Sequence, residues 1–425
     1  MDKSFVPCTY TISGKGYVDQ PWYNCWTCNN TGNLGVCFVC AHVCHKGHQL
    51  GNNNRMLGNN NFNNGGFYCD CGSGDMNDPC KCAPTVPVDY LAKTIREKAR
   101  LNNLQVDFDI MQSTLQSTKS GVISPVNLKM AIELAGELFK CTDLTESFIK
   151  AKYNENPDPT LLVACGIFGY QNPNAKLNVN FGYEIRQENS ADMINKFVEA
   201  KTNGVLKQVL TSEPVGTSLV STLYFKGNWQ DKFDSYQTRK DYSFRGLYGT
   251  KTVDMMCKYG TETTNFIRTN NFSSIVLPYV GRRFVSVFTL PSDENKSMHD
   301  LFRDRSLFSE LQSHFDLTTM RQLKVRHFVP KFKKEFGYQN MHSILQNAGF
   351  NFEEFRSRTA IDDIIHKVVL EVDEIGTTAA AATVMVSRGL SSPDAEWIGD
   401  RPFSFAIMDL LDRSVLFWGL VDFTC

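Results

Sequence analysis

Between residues 364 and 374 apolar and polar positions alternate. His366, Val368, Leu370 and Val372 fall on one face, and Lys367, Glu371 and Asp373 on the other. That two-residue period predicts a half-buried strand. The strand feeds Glu374, Ile375, Gly376, Thr377, Thr378, Ala379, Ala380, Ala381, Ala382 and Thr383, where nothing after Ile375 is larger than threonine. Such small side chains let backbones approach closely, which suits a solvated loop, a helix or a place inside a sheet. Taken alone, the stretch suits an ordinary alanine-rich helix as well as a segment with two homes, because alanine has the best helix propensity. Elsewhere the pattern predicts an amphipathic helix from Asp89, its N-cap, to Arg100, with Lys and Arg on a solvated face. A second helix opens at Ser124-Pro125. Residues 219–225 read as an apolar strand closed by a Lys226-Gly227 turn, with Trp229 as a core plug. Runs at 253–256, 275–279, 285–291, 329–332, 403–407 and 415–423 add further strands.

The 425 residues carry a net charge of −1, with 21% charged residues, the composition of a globular chain of two or three domains. Near-neutral charge gives no general attraction to nucleic acid or membrane. No apolar leader-like segment follows Met1 and no long apolar run occurs, so the expected location is intracellular and reducing. Ten of the 14 cysteines precede residue 83, and Cys141, Cys165, Cys257 and Cys425 are scattered beyond it. This asymmetry predicts a separate module at 1–82, a proline-stiffened linker at 83–88 and a larger domain at 89–425.

In the module Cys8 is followed by Cys25-x-x-Cys28, Cys37-x-x-Cys40, Cys44-His45-x-x-His48, Cys69-Asp70-Cys71 and Cys80-x-Cys82. Short cysteine pairs followed by a histidine pair have the spacing with which one turn offers two ligands to a tetrahedral zinc. A segment this short and poor in aliphatics cannot bury enough apolar surface to fold well alone, so metal must stabilise it. Disulfides are the rival, but reduced thiols and the histidine pair favour zinc. The asparagine-rich stretch 51–66 reads as a low-complexity loop within the module.

The order of these motifs resembles the UBR box of N-degron-recognising ubiquitin ligases. That resemblance implies three zinc ions: one held by Cys25, Cys28, His45 and His48, and a pair sharing Cys40. Cys8, Cys37, Cys40 and Cys69 would hold one member of the pair. Cys40, Cys71, Cys80 and one of Cys44, Cys82 or His42 would hold the other. It also implies a pocket for a peptide N-terminus with Asp70 as its central acid. A second acid of the family pattern is replaced by Ser73, which weakens a site meant for a guanidinium. The competing reading makes Asp70 a structural group beside the zincs.

The stretch 374–383 resembles the proximal hinge of the serpins, the loop-inserting protease inhibitors. Further matches are Ser124-Pro125 at a helix start, residues 194–204 as the helix across the main sheet, and residues 219–229 as a buried strand. The expected architecture is therefore multidomain α+β, a small zinc-stabilised UBR-type module followed by a serpin fold with a large central sheet, helices and an exposed reactive-centre loop. The chain between 138 and 161 and between 181 and 194 is short for the family, so one or more peripheral helices are expected to be missing, which leaves the full width of the sheet open. Ser124, Ser221 and His366 correspond to the shutter, and Trp229 to the breach where the loop enters. Serpins usually carry asparagine at the place of Ser221, and serine reaches less far, so a looser gate is expected.

The resemblance puts the reactive bond at Leu390-Ser391, fourteen residues beyond Gly376. Leucine before the bond suits chymotrypsin-like or cathepsin-like proteases. A bond after Arg388 would suit a trypsin-like one. Thr377, Ala379, Ala381 and Thr383 would point to the buried side of the sheet. No Ser-His-Asp, nucleotide or metal-catalytic constellation occurs in residues 84–425, so the domain is expected to be an endopeptidase inhibitor and not an enzyme. The alternative is a non-inhibitory serpin scaffold acting as an N-degron or ubiquitin-pathway adaptor. No RING or HECT-like element follows residue 82, which disfavours a complete ligase.

Overall fold

The computed structural model describes residues 18–19, 22–28, 35–37, 40–41, 44–45, 48–52, 55–56, 66–67, 70–73, 90–148, 160–171, 183–338, 341–376, 392–410 and 413–425. The chain divides into two compact units. One comprises residues 1–98 with 278–285 and 409–414, and the other residues 99–277, 286–408 and 415–425. The expected linker at 83–88 lies outside the described residues.

In the first unit the cysteine-rich stretch forms short strands: β1 (Val18–Asp19), β2 (Trp22–Cys25), β3 (Val36–Cys37), β4 (Leu50–Asn52), β5 (Arg55–Met56) and β6 (Gly66–Phe67). They are followed by the one-turn helix α1 (Asp70–Ser73). β1 pairs with β6, and the other four run in the order β3-β2-β4-β5. Gly35 must be glycine, since a Cβ there would lie 2.4 Å from the Trp22 ring and 2.8 Å from the Tyr23 carbonyl oxygen. Among the described residues of this stretch, Trp22, Val36 and Ala41 are buried together with Cys25, Cys37, Cys40 and Cys71.

The second unit begins in α2 (Tyr90–Ser117), followed by β7 (Gly121–Ile123), α3 (Pro125–Leu138), α4 (Thr142–Phe148), β8 (Leu161–Phe168), β9 (Tyr183–Arg186), α5 (Ala191–Lys201) and β10 (Thr217–Phe225). After these come β11 (Arg239–Gly246), β12 (Gly249–Arg268), β13 (Phe272–Pro278), β14 (Phe284–Pro291), α6 (Met298–Arg303) and α7 (Phe308–Ser313). The chain closes with β15 (Arg321–Pro330), β16 (Phe332–Tyr338), α8 (His342–Asn347), α9 (Phe352–Thr359), β17 (Ile361–Val372), β18 (Ala395–Ile398), β19 (Phe403–Asp409) and β20 (Ser414–Val421).

The helix expected to end at Arg100 continues to Ser117. Its second half carries polar residues that are buried and paired. Asp107 meets Lys129 of α3 at 2.6 Å, and the Gln112 amide donates to the Phe302 carbonyl. The width of the sheet, which the short chain here left open, includes an edge strand, β9, four residues running parallel to β8. It gives the main sheet five strands in the order β16-β17-β10-β8-β9.

Successive residues of a strand face opposite sides, and both sides of this sheet are covered. Val220, Tyr224, Ile365 and Val369 pack with Ile194, Phe197 and Val198 of α5 and with Leu206, Val209 and Leu210 of the connection behind it. Ser221 and His366 face the other way, towards α3. β17 is thus buried on both faces, where the alternation implied one. The apolar residues on its nominally polar face are those under α5.

Candidate functional site

The zinc-type donors are assembled by local turns. Backbone bonds from Cys44 and His45 to the Cys40 carbonyl, both 2.9 Å, wind one turn that sets Cys40 and Cys44 on one side and His45 on another. His48 follows through its own bond to the His45 carbonyl at 2.9 Å. The Cys25-x-x-Cys28 knuckle is tied to this turn by Trp26 N–H to the Gln49 carbonyl (2.9 Å) and Gln49 N–H to the Thr27 hydroxyl (2.8 Å).

As a result, Cys25, Cys28, His45 and His48 bring one donor atom each within 4.8 Å of one another. The Cys28 Sγ lies 3.4 Å from His45 Nδ1 and 3.2 Å from His48 Nδ1, and Cys25 Sγ 3.5 Å from His48 Nδ1. A tetrahedral zinc with bonds of about 2.3 Å to sulfur and about 2.0 Å to nitrogen separates such ligands by about 3.5 Å. This donor set therefore fits a zinc ion. Among the described residues, Cys40, Cys44 and Cys71 form a second group with donor atoms within 4.8 Å of one another. Cys37 is buried next to Cys40, whose backbone N–H points at its sulfur at 3.4 Å. Cys8, His42, Cys69, Cys80 and Cys82 lie outside the described residues.

Asp70, at the start of α1, is 3% exposed. Its carboxylate accepts the Gly35 N–H at 2.5 Å while its own N–H donates to the Gly35 carbonyl at 3.2 Å. In this geometry the residue clasps two segments of the module together.

The second site is the seam between β10 and β17. These strands pair in parallel, Ser221 opposite His366. Ser124, the N-cap of α3, accepts from Asn127 N–H with its hydroxyl and donates its own N–H to His366 Nε2 at 2.9 Å. His366 Nδ1 therefore carries the ring proton and points it at the Ser221 carbonyl, 3.0 Å away, with the Ser221 hydroxyl at 3.2 Å. Asn127 completes the set by donating from Nδ2 to the Ser221 hydroxyl at 2.9 Å. All four residues are at most 1% exposed. Burial pushes His366 down to about 4, which the bond to the Ser221 backbone offsets only in part. The short Ser221 side chain is met from the helix side by the Asn127 amide. Asn127 was not singled out from the sequence, although its place three residues after an N-cap puts it on the same helical turn as Ser124.

At the mouth of the seam the chain leaves β17 in a tight turn. Asp373 N–H donates to the Gly376 carbonyl at 2.9 Å, and the Asp373 carboxylate accepts from Ile375 N–H (2.9 Å) and Gly376 N–H (3.0 Å). Such a self-bonded turn is a usual role for aspartate, a signal readable in Asp-Glu-Ile-Gly but not used. Trp229, 1% exposed, holds the turn from both ends, with indole N–H to the Asp373 carbonyl (2.8 Å) and backbone N–H to the Ile375 carbonyl (2.8 Å). Glu374 receives Lys331 at 2.7 Å and Thr238 at 2.9 Å. Burial alone would raise its carboxyl, but these bonds outweigh it and hold the group below the usual carboxylate range. Gly376 bridges to Asn228, and a Cβ on it would lie 2.1 Å from the Gly227 carbonyl oxygen. The remaining hinge residues Thr377, Thr378, Ala379, Ala380, Ala381, Ala382 and Thr383, together with Arg388, Leu390 and Ser391, lie outside the described residues. Among the described residues no helix is long and apolar enough to cross a membrane.

Residues 176–422 match the family described as serpin (serine protease inhibitor), and residues 6–83 match the UBR box. Serpin-Z10 of Arabidopsis thaliana is 32% identical over 254 residues, which are 54% of this chain and 64% of that protein. Leukocyte elastase inhibitor of Xenopus laevis is 31% identical over 249 residues, 55% of this chain and 65% of that protein. The chain thus spans just under two thirds of the length of these relatives. Serpin-ZX of Arabidopsis thaliana matches further, at 29% over 395 residues, covering 77% of this chain and 98% of that one. Among solved structures, the native state of tengpin, a thermophilic serpin, has a TM-score of 0.63 at 23% identity, covering 76% of this chain and 94% of that chain. The native stressed conformation of an Arabidopsis serpin has a TM-score of 0.61 at 25% identity, covering 77% and 98%.

Proposed function

The chain belongs to the serpin family and carries a UBR-type zinc-binding module at its N-terminal side, and from that premise we propose that it inhibits an endopeptidase by loop insertion. The observation that carries this reading is the β10–β17 seam. Two parallel strands lie side by side with room in the topology for an antiparallel strand between them, and the hinge turn stands at the open end of that gap. In the proposed mechanism the protease attacks the Leu390 carbonyl and forms an acyl-enzyme with release of the Ser391 amine. Residues 377–390 then enter the seam before water cleaves the ester or thioester. Residues 376–390 as a strand span about 50 Å, enough to carry a tethered enzyme across the domain. Roughly ten new ladder hydrogen bonds at about 1 kcal/mol each rival the stability of an ordinary domain, so the uncut state is metastable. The leucine before the bond favours a chymotrypsin-like or cathepsin-like target, within a reducing, intracellular setting.

Nicking the loop and then heating tests the reading. The melting temperature is expected to rise by tens of degrees, and incubation with a chymotrypsin is expected to leave a denaturant-resistant adduct. An unchanged melting temperature would sink the inhibitor and leave the serpin domain as a scaffold for the zinc module.

For that module we propose three zincs and a docking role towards ubiquitin-pathway proteins, with Asp70 as a clasp and not as the anchor of a cationic residue. The Gly35 N–H bond to one oxygen of this buried carboxylate supports the clasp. An Arg-first peptide and its acetylated form are then expected to bind the full chain alike. Tenfold tighter binding of the free-amine peptide would restore the pocket.

A further inference from the structure

Three metal-type donors from distant parts of the chain meet beside the end of β20. His299 of α6, Asp422 and Cys425 each bring one donor atom within 4.8 Å of the others, and His299 and Asp422 are buried. The fold holds both in place. Just past β20, Asp422 N–H donates to Ser120 Oγ at 3.2 Å, beside the start of β7. The turn between β11 and β12 closes over the aspartate. Leu247 N–H donates to its Oδ2 at 2.9 Å, and Tyr248 N–H to Thr424 Oγ1 at 3.1 Å. Gly246 has to be glycine there, since a Cβ would overlap the Asp422 carboxylate and the Thr424 side chain. His299 is fixed from the other side: its Nε2–H donates to the Lys119 carbonyl at 2.7 Å, and the Ser297 hydroxyl lies 3.4 Å from Nδ1.

The charge at this spot calls for a cation. Asp422 is 0% exposed, and its carboxylate is met by neutral donors: Leu247 N–H, Thr424 N–H at 2.9 Å and the Thr424 hydroxyl at 2.8 Å. Lys334 Nζ goes to the backbone carbonyl of Asp422, 3.4 Å away, and not to the carboxylate. Among the described residues the ion-pair contact of Asp422 is His299 Nε2, 3.9 Å from Oδ2. Buried carboxylates are ordinarily paired with a cation or ligate a metal. An imidazole and a thiol beside the carboxylate are ligands that zinc accepts and that calcium or magnesium does not. Ligands of one zinc stand about 3.5 Å apart, so the imidazole and the carboxylate need only a small shift. Cys425 is exposed and can turn its sulfur towards them.

We propose that His299 Nε2, a carboxylate oxygen of Asp422 and the Cys425 thiolate bind a zinc ion, with the Lys119 carbonyl beside the fourth position. On binding, the ring proton leaves Nε2 and Nδ1 carries it instead, where the Ser297 hydroxyl accepts it. The thiol proton is released to solvent. The ion ties the segment after β20 to α6 and to the turn ahead of β7. With three side-chain ligands and an open position, the site exchanges its metal more readily than a closed structural one. It shares no ligand with the sets of the cysteine-rich module and does not depend on loop insertion.

The test uses the full chain with reduced thiols and excess zinc, and counts the ions per chain by native mass spectrometry. Wild type is expected to hold one ion more than C425S and one more than H299Q. In a C25A background, which removes a ligand of the cysteine-rich module, C425S is expected to cost one further ion. Zinc is also expected to raise the main melting transition by about 2 °C in wild type and to leave C425S unmoved. A C425S chain with the wild-type count would overturn the proposal, as would a zinc-induced rise that C425S keeps in full. A double variant with the same count as C25A would show that the thiol serves the module's ion, which also overturns it. An ion lost in C425S but kept in H299Q would remove the imidazole from the ligand set. If H299Q does not fold, C425S, altered at an exposed position, decides whether the site exists.

Discussion

His366 works as a bolt across the seam because its two ring nitrogens do opposite things, one accepting from Ser124 N–H and the other donating to Ser221. Protonation would turn Nε2 into a donor facing a donor. His314 and His327 are buried in the same way: His314 between the hydroxyls of Ser274 (2.7 Å) and Thr269 (3.0 Å), and His327 against the Val325 carbonyl (2.9 Å). Burial is the main cause that pushes His314 down to about 4, against a counter-pull from Glu310, and His327 to about 3, where Lys258 adds repulsion. All three bind a proton less readily folded than unfolded, where the ordinary value is about 6.5. Their stabilising effect is complete above that value and is lost as pH falls through 6.5 towards 4, with the unfolded state taking up protons first. At pH 5 the loss is on the order of 2 kcal/mol per histidine. The melting temperature of the uncut protein is therefore expected to fall between pH 7 and pH 5, before ordinary carboxylates titrate. A flat profile over that interval would show that these rings are more accessible than their contacts imply.

At the scale of elements, the strand over 364–374 was legible because a two-residue period needs only one ordered face, and β17 (Ile361–Val372) follows it closely. Its second buried face was not legible, since Lys367 and Glu371 interrupt the apolar residues that α5 covers. Lys367 can sit there because its ammonium reaches out to the Gln208 carbonyl at 2.5 Å and to Glu335 at 3.0 Å. The second half of α2 was missed for the converse reason: Asp107, Gln112 and Thr114 look like an exposed terminus until Lys129, the Phe302 carbonyl and the Ile110 carbonyl are seen to receive them. Chain length was a poor guide to β9, as four residues suffice for an edge strand. The hinge was readable at Gly376, where the close approach to Gly227 leaves no space for a side chain. The amide that braces the seam was not, because a contact from Asn127 on α3 to Ser221, 94 residues away, leaves no local pattern.

For the molecule as a whole, the two units are held by different physics, and metal removal should separate them. The second unit buries a continuous apolar interior, including Trp418 packed against Phe108, Phe302 and Phe315, and its described elements contain no zinc-type Cys/His set with four donors. The described residues of the cysteine-rich module bury few apolar side chains beyond the cysteines, and structural zinc in such peptides contributes about 10–16 kcal/mol of apparent binding energy. Chelation at neutral pH is expected to abolish the module's cooperative signal while the main transition of the serpin domain stays within a few degrees. The metal count per chain then reads out the ligand sets. C25A is expected to lose one ion, because among the described residues Cys25 groups with Cys28, His45 and His48 alone. C40A is expected to lose two if, as proposed, its thiolate is shared between both members of a zinc pair. Mass spectrometry of the native protein gives these counts directly. If C40A loses a single ion, Cys40 is an ordinary ligand and the module holds separate sites in place of a bridged pair.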